Sequence, residues 1–255
     1  MRKMNNKVLN IFENICKTGK KAVAILLDPD KISDQELEKR IYTINKYKID
    51  LIFVGGSLVS KDNFEYVLKE LQEKTFVPKI IFPGNGLHIN SHADAILLLS
   101  LISGRNPEFL IGQHVISAPI LKRSGLEILP TAYMLIDGGQ ATTVSYISNT
   151  FPIPNNKPDL AACTALAGEM LGLKLNYLDA GSGALNQVSE EIIREVRNNI
   201  NGPLIVGGGI NTKEKASKAL NAGADVIVIG NAIESNPNFL IEIAQLVSLY
   251  NFALA

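Results

Sequence analysis

Seven consecutive residues late in the chain, Tyr177-Leu178-Asp179-Ala180-Gly181-Ser182-Gly183, combine a phenol, a carboxylate, a hydroxyl and two glycines. An apolar run ends there, so the segment reads as a strand entering a glycine turn. Alternation along the strand puts Tyr177 and Asp179 on one side. A carboxylate facing a barrel mouth can draw a proton from a bound hydroxyl while the glycine turn holds a nearby phosphate. The plainer alternative is that Asp179 caps the turn. Gly207-Gly208-Gly209 and Gly230-Asn231 close two later apolar runs in the same manner. Three such turns, separated by helical segments of similar length, point to neighbouring loops on one face of a parallel α/β barrel, where phosphate is commonly held.

Two earlier strand ends add oxygen ligands. The run Ala22 to Leu27 closes on Asp28-Pro29-Asp30-Lys31, and Leu51 to Val54 closes on Gly55-Gly56-Ser57. A carboxylate beside a phosphate site can hold Mg²⁺, which often takes one or two carboxylates together with substrate phosphates. The Ser57 hydroxyl can join a metal or phosphate shell. Asp30 reads as a turn residue, and Lys31 either meets phosphate charge or is simply solvated. His88, His92 and His114 form no metal motif, because Asn90 and Ser91 place the first two in a non-helical loop. Cys16 and Cys163 lie far apart without a C-x-x-C context, which suits a reducing compartment and inert thiols.

The elements that must position these groups follow from periodicity. Val8, Leu9, Ile11, Phe12 and Ile15 have helical spacing, and Ser33 with Glu36 forms a capping box ahead of Leu37, Ile41 and Ile44. Asp62 is expected to cap the helix carrying Phe64, Val67, Leu68 and Leu71. Only about ten residues separate the runs Lys79 to Phe82 and Ala95 to Leu99, too few for a full crossover helix. Residues 101–126 suggest short helices and a loop folded over the barrel, followed by a fifth strand within Leu126 to Ile136 and a helix near Thr142 to Ile147. Residues 160–173 are small and apolar all round, which predicts a helix covered on both sides, as at a subunit interface. Strands at Leu175 to Ala180, Leu204 to Val206 and Val226 to Ile229 alternate with helices at Ser189 to Asn199 and Thr212 to Asn221. Pro237 opens a closing helix with Phe239, Leu240, Ile243 and Val247 inward. The expected fold is a single α/β (β/α)₈ TIM barrel over residues 1–255, with an irregular or shortened connection after strand three.

Composition narrows the partners. Lys plus Arg and Asp plus Glu number 25 each, so net charge favours neither nucleic acid nor an anionic membrane. Glu13 and Asn14 interrupt the N-terminal apolar residues, so no signal core forms, and runs such as Ala95 to Ile102 are too short to span a bilayer. A soluble, cytoplasmic protein without a stable membrane anchor is expected.

In chain order, Asp28-Pro29-Asp30-Lys31, Gly55-Gly56-Ser57, Pro130-Thr131-Ala132-Tyr133, Tyr177 to Gly183, Gly207-Gly208-Gly209-Ile210 and Gly230-Asn231 resemble the geranylgeranylglyceryl phosphate synthases and their bacterial relatives that use heptaprenyl diphosphate. The resemblance covers nearly the whole chain. It implies a TIM-barrel prenyltransferase that joins a polyprenyl diphosphate to sn-glycerol 1-phosphate with Mg²⁺. Asp28 and Ser57 match the metal positions. Tyr177, Leu178, Asp179, Ala180, Gly181, Ser182 and Gly183, with Gly208, Gly209, Gly230 and Asn231, match the glycerol phosphate positions. Ser103 to Pro107 with Gln113-His114 is similar to the subgroup that also occurs in bacteria, which implies a homo-oligomer, either dimer or hexamer.

Two departures bear on the assignment. Many members carry Glu where this chain has Asp179, so its carboxylate reaches roughly one methylene less. Leu26 stands where the heptaprenyl enzymes carry Lys, which argues against their subgroup, and a C20 donor is expected. An allylic diphosphate also needs an apolar channel for its tail, for which Leu97 to Leu101, Phe109, Leu110 and Tyr133 are candidates. Met134 and Met170 read as packing. A sugar-phosphate isomerase or lyase with Asp28 and Asp137 as its acid–base pair is the enzymatic rival. A non-catalytic phosphate or lipid binder is the third reading, and an intact Asp28, Ser57 and Asp179 set disfavours it.

Overall fold

The short apolar runs become eight parallel strands that close in sequence order into a barrel. The structure is a computed structural model and describes residues 7–56, 63–84 and 88–254. The strands are β1 (Ala22–Leu27), β2 (Leu51–Gly55), β3 (Lys79–Phe82), β4 (Ala95–Leu101), β5 (Glu127–Leu135), β6 (Leu175–Asp179), β7 (Leu204–Gly207) and β8 (Val226–Ile229). They are mostly apolar because each is covered on both faces. Alternate residues divide between two cores. Ala22, Ala24, Leu51, Phe53, Leu129 and Tyr177 fill the barrel interior, whereas Val23, Ile25, Ile52 and Val54 pack outward beneath the helices.

Helix α1 (Lys7–Thr18) joins the interior core through Val8, Leu9, Phe12 and Ile15. It closes the N-terminal end of the barrel: the amides of Val8 and Leu9 donate to the two carboxylate oxygens of Glu127, each at 2.8 Å. This is a favourable seat for an anion at a helix start. Helix α2 (Asp34–Tyr47) carries the capping box of Ser33 and Glu36, as its sequence predicts. Helix α3 (Phe64–Lys74) begins after Asn63, which makes no side-chain cap; Asp62 and Ser57 lie outside the described residues.

The described residues between β3 and β4 contain no helix, in keeping with their small number. The next stretch is more helical than its glycines and prolines suggest. A π-helical turn (Glu108–Gly112) runs directly into α4 (Gln113–Ser124), with Pro119 inside the helix. Short α5 (Thr143–Ser148) follows β5, and α6 (Pro158–Met170), α7 (Glu190–Asn199) and α8 (Lys213–Ala222) follow in turn. After β8 the chain forms a brief helix that periodicity did not show, α9 (Asn231–Ser235). The closing helix α10 (Phe239–Phe252) starts two residues beyond Pro237. Helix α6 is buried along one side only within its own chain. Ala161, Ala162, Ala165 and Gly168 are buried, but Leu160, Cys163 and Met170, with Leu171 just beyond, are exposed, so the chain itself covers only one side.

Candidate active site

A cavity of about 630 Å³ opens where the strands end at their C-termini. Asp28 reaches it from β1, Gly55 and Gly56 from β2, Tyr177 and Asp179 from β6, and the three late glycine turns complete its lining. Gly55 has φ +137, and a Cβ there would lie 2.1 Å from the Phe82 carbonyl oxygen, so only glycine lets β2 end against β3.

Asp179 is the most constrained carboxylate in the cavity. Its Oδ2 accepts a 2.6 Å hydrogen bond from the Tyr133 hydroxyl, and its Oδ1 accepts one of 2.7 Å from the Gly181 amide. Burial raises its pKa above the ordinary carboxylate range, while these two bonds favour the charged form and oppose that rise. Burial first, and the Asp179 charge second, push the Tyr133 and Tyr177 phenols well above their usual pKa. Tyr133, Tyr177 and Phe82 contact one another edge to face with ring centroids 5.5–6.0 Å apart, forming a rigid wall beside the carboxylate. At a cavity edge, a carboxylate gripped through both oxygens and lifted in pKa suits a general base.

The glycine turns are held by one another. A Cβ on Gly208, whose φ is +80, would fall 2.6 Å from the Gly181 nitrogen, 2.7 Å from the Ala180 nitrogen and 2.8 Å from Asp179 Oδ1. The turns after β6 and β7 therefore share one space that side chains would fill. Ser182 and Asn231 link the turns after β6 and β8, the Asn231 Nδ2 donating to Ser182 Oγ at 3.0 Å. Gly181, Ser182, Gly183, Gly208, Gly209, Gly230 and Asn231 all line the cavity. Leu178 and Ala180 do not: strand alternation turns their side chains into the outer core beneath the helices.

Asp28 sits at the opening with its Oδ1 accepting the Asp30 amide at 3.1 Å, which makes Asp30 the turn residue its sequence suggests. Lys31 is half-exposed, and its Nζ lies 3.2 Å from Asp28 Oδ2 and 3.7 Å from Glu234 Oε1. No group of three His, Cys, Asp or Glu side chains among the described residues could hold a metal. Asp28, opening onto the cavity from β1, is a donor that suits a divalent cation shared between few protein oxygens and the phosphates of a ligand.

An apolar groove adjoins this cavity, with Phe82 lining both. Leu97, Leu98, Leu99, Leu101, Phe109 and Tyr133 line it as expected, together with the inner face of α4; Leu110 and the Ser100 side chain do not. Ser100 and His114 are joined at 3.0 Å, and burial lowers the His114 pKa. Asp137, the partner that an isomerase would need, faces a separate polar hollow with Gln140 and Thr142, and so does not share a cavity with Asp28. His88 accepts from the Gly84 amide and stacks on Phe64, and His92 pairs with Gln72.

Sequence reasoning missed the Tyr133–Asp179 bond because it depends on register: β5 and β6 pair Tyr133 with Tyr177, which no local pattern specifies. It also missed Glu234, since α9 left no periodic trace.

Comparison with known proteins converges on one group. The family described as PcrB matches residues 16–247. The chain is 56% identical to a geranylgeranylglyceryl phosphate synthase of Spirosoma linguale over 95% of this chain and 98% of the relative. It is 48% identical to the protein of that name from Chitinophaga pinensis, over 96% and 97%. The crystal structure of (S)-3-O-geranylgeranylglyceryl phosphate synthase from Thermoplasma acidophilum, in complex with substrate sn-glycerol-1-phosphate, superposes with a TM-score of 0.88 at 33% identity, covering 94% of this chain and 98% of that one.

Proposed function

Since the chain belongs to the PcrB family, we infer that it is a geranylgeranylglyceryl phosphate synthase, transferring the prenyl group of geranylgeranyl diphosphate to sn-glycerol 1-phosphate. The products are geranylgeranylglyceryl phosphate and diphosphate. The observation that carries the reading is the pairing of two unlike cavities across Phe82, one lined by the glycine turns with a carboxylate at each side, the other apolar.

Gly181 to Gly183, Gly208, Gly209, Gly230 and Asn231 hold the phosphate of the acceptor through the glycine turns, leaving its terminal C3 hydroxyl toward Asp179. Asp179 takes the hydroxyl proton as the oxygen attacks C1 of the prenyl group, and the C1–O bond to diphosphate breaks with its electron pair leaving on the diphosphate. Tyr133 and Gly181 keep the carboxylate charged and aimed. Tyr177 walls the site beside it. Asp28, with Ser57, would hold Mg²⁺, which when bound supplies positive charge to neutralise the leaving diphosphate. The groove along β4 and α4 shelters the hydrocarbon tail and excludes water from an allylic carbon with cationic character.

The exposed apolar side of α6 supports a homo-oligomer, a dimer or hexamer. No described helix is long and apolar enough to cross a membrane, and we place the enzyme in the cytoplasm without an anchor. Incubating the protein with labelled sn-glycerol 1-phosphate and prenyl diphosphates of several lengths tests the reaction: label is expected in the organic phase, most with the C20 donor. No extractable label with any donor would overturn the assignment. Asp28→Asn is expected to abolish turnover while calorimetric binding of sn-glycerol 1-phosphate survives; loss of both would remove Asp28 from the metal role.

A further inference from the structure

Among the described residues, the polar cavity is lined by three carboxylates, Asp28, Asp179 and Glu234, and by a single cation, Lys31. A site that must receive two phosphate-bearing substrates gains from a cation that can change partner, beside any metal held at Asp28. The surroundings of Lys31 allow this. The Lys31 amide donates to the Asp28 carbonyl at 3.1 Å, which fixes the backbone, while the side chain is 47% exposed and spans the gap between Asp28 and Glu234. A lysine ammonium is a compact charge on a flexible stem, with three donors that need no fixed plane. The helix that carries Glu234 is fixed nearby: the Arg40 guanidinium donates to the carbonyl of the preceding residue, Ile233, tying α9 to α2.

We propose that Lys31 is the protein's own cation for the leaving diphosphate, parked on Asp28 in the substrate-free state and guided toward the diphosphate by Glu234. The proposal rests on the prenyltransferase reading above. Once Asp28 takes up a metal it no longer needs the ammonium, and Lys31 retains only Glu234 and whatever anion enters the cavity. As the C1–O bond breaks, its electron pair adds charge to the diphosphate oxygen. A cation that meets this oxygen binds the transition state more tightly than the ground state. Asp179 keeps the proton from the acceptor hydroxyl, so Lys31 needs to give up none.

The test uses the full chain, with Mn²⁺ followed by electron paramagnetic resonance and inorganic diphosphate titrated calorimetrically in the presence of Mg²⁺. Lys31→Met is expected to bind Mn²⁺ several-fold more tightly, because the competing ammonium is gone. It should bind inorganic diphosphate roughly tenfold more weakly, the loss of one charge-assisted contact. Lys31→Arg should restore most of the diphosphate affinity. Glu234→Gln is expected to weaken Mn²⁺ binding in the wild-type background and to have no effect in Lys31→Met, because Glu234 acts through Lys31. Unchanged Mn²⁺ and diphosphate affinity in Lys31→Met, or an equal effect of Glu234→Gln in both backgrounds, would overturn the proposal. Failure of the wild type to transfer any prenyl group would instead overturn the parent reading, a separate result.

Discussion

At the scale of single residues, the chemistry turns on how Asp179 is held. Its pKa is raised by burial and restrained by hydrogen bonds from Tyr133 and Gly181. With Asp179 as the proposed base, which must be ionised, turnover is expected to fall as pH drops through that raised pKa, placing the acid limb of the kcat profile above the ordinary carboxylate range. Tyr133→Phe removes a bond that favours the charged form, so the limb is expected to move to higher pH as kcat falls. A kcat–pH series on both proteins checks this, and an unmoved limb would show that Asp179 is not the titrating base. Alternation alone brought Tyr177 and Asp179 to one side in the sequence. The grip of Tyr133 was not legible, because a hydrogen bond across neighbouring strands depends on register set by the whole barrel.

At the scale of elements, the turns after β6 and β7 behave as one unit. Gly208→Ala would press a methyl group against two backbone nitrogens at a positive φ, and neither nitrogen can withdraw without moving the turn. We expect a loss of about 1–3 kcal/mol in stability, the range for a strained non-glycine backbone, with weaker binding of sn-glycerol 1-phosphate measured by calorimetry. Gly125→Ala at the end of α4 has a similar φ of +77 but nothing within 4 Å, so it should leave acceptor affinity intact. Comparing the two separates backbone strain from loss of the anion site. Helices with clear stop and start signals, such as α2 with its capping box, were legible in the sequence. Helix α4 was not, because it carries Pro119 and no apolar stripe faces inward: Ser117 and Leu121 turn to the groove while Val115, Ile116 and Ile120 are exposed.

At the scale of the whole molecule, the exposed side of α6 predicts assembly. Met170 and Leu171 are 78% and 77% exposed, and replacing both with Glu is expected to reduce the mass measured by light scattering to that of one chain. An unchanged mass would move the contact elsewhere. The barrel, its strand order and its glycine face were legible because a strand buried on both sides leaves an unbroken apolar run. The groove was legible only as an uncommitted surplus of leucine. The connection between β3 and β4 gives that surplus its meaning. Elsewhere the crossovers lay protein over the barrel wall, but here Pro83, Gly84 and Ile89 pass with no helix among the described residues, beside a leucine-lined hollow. If the donor's hydrocarbon lies in this hollow, as proposed, it supplies a piece of outer layer there, and loading the donor amounts to the last step of folding. Calorimetry should then give a negative heat-capacity change for geranylgeranyl diphosphate binding and a higher thermal midpoint, neither of which inorganic diphosphate should reproduce in full.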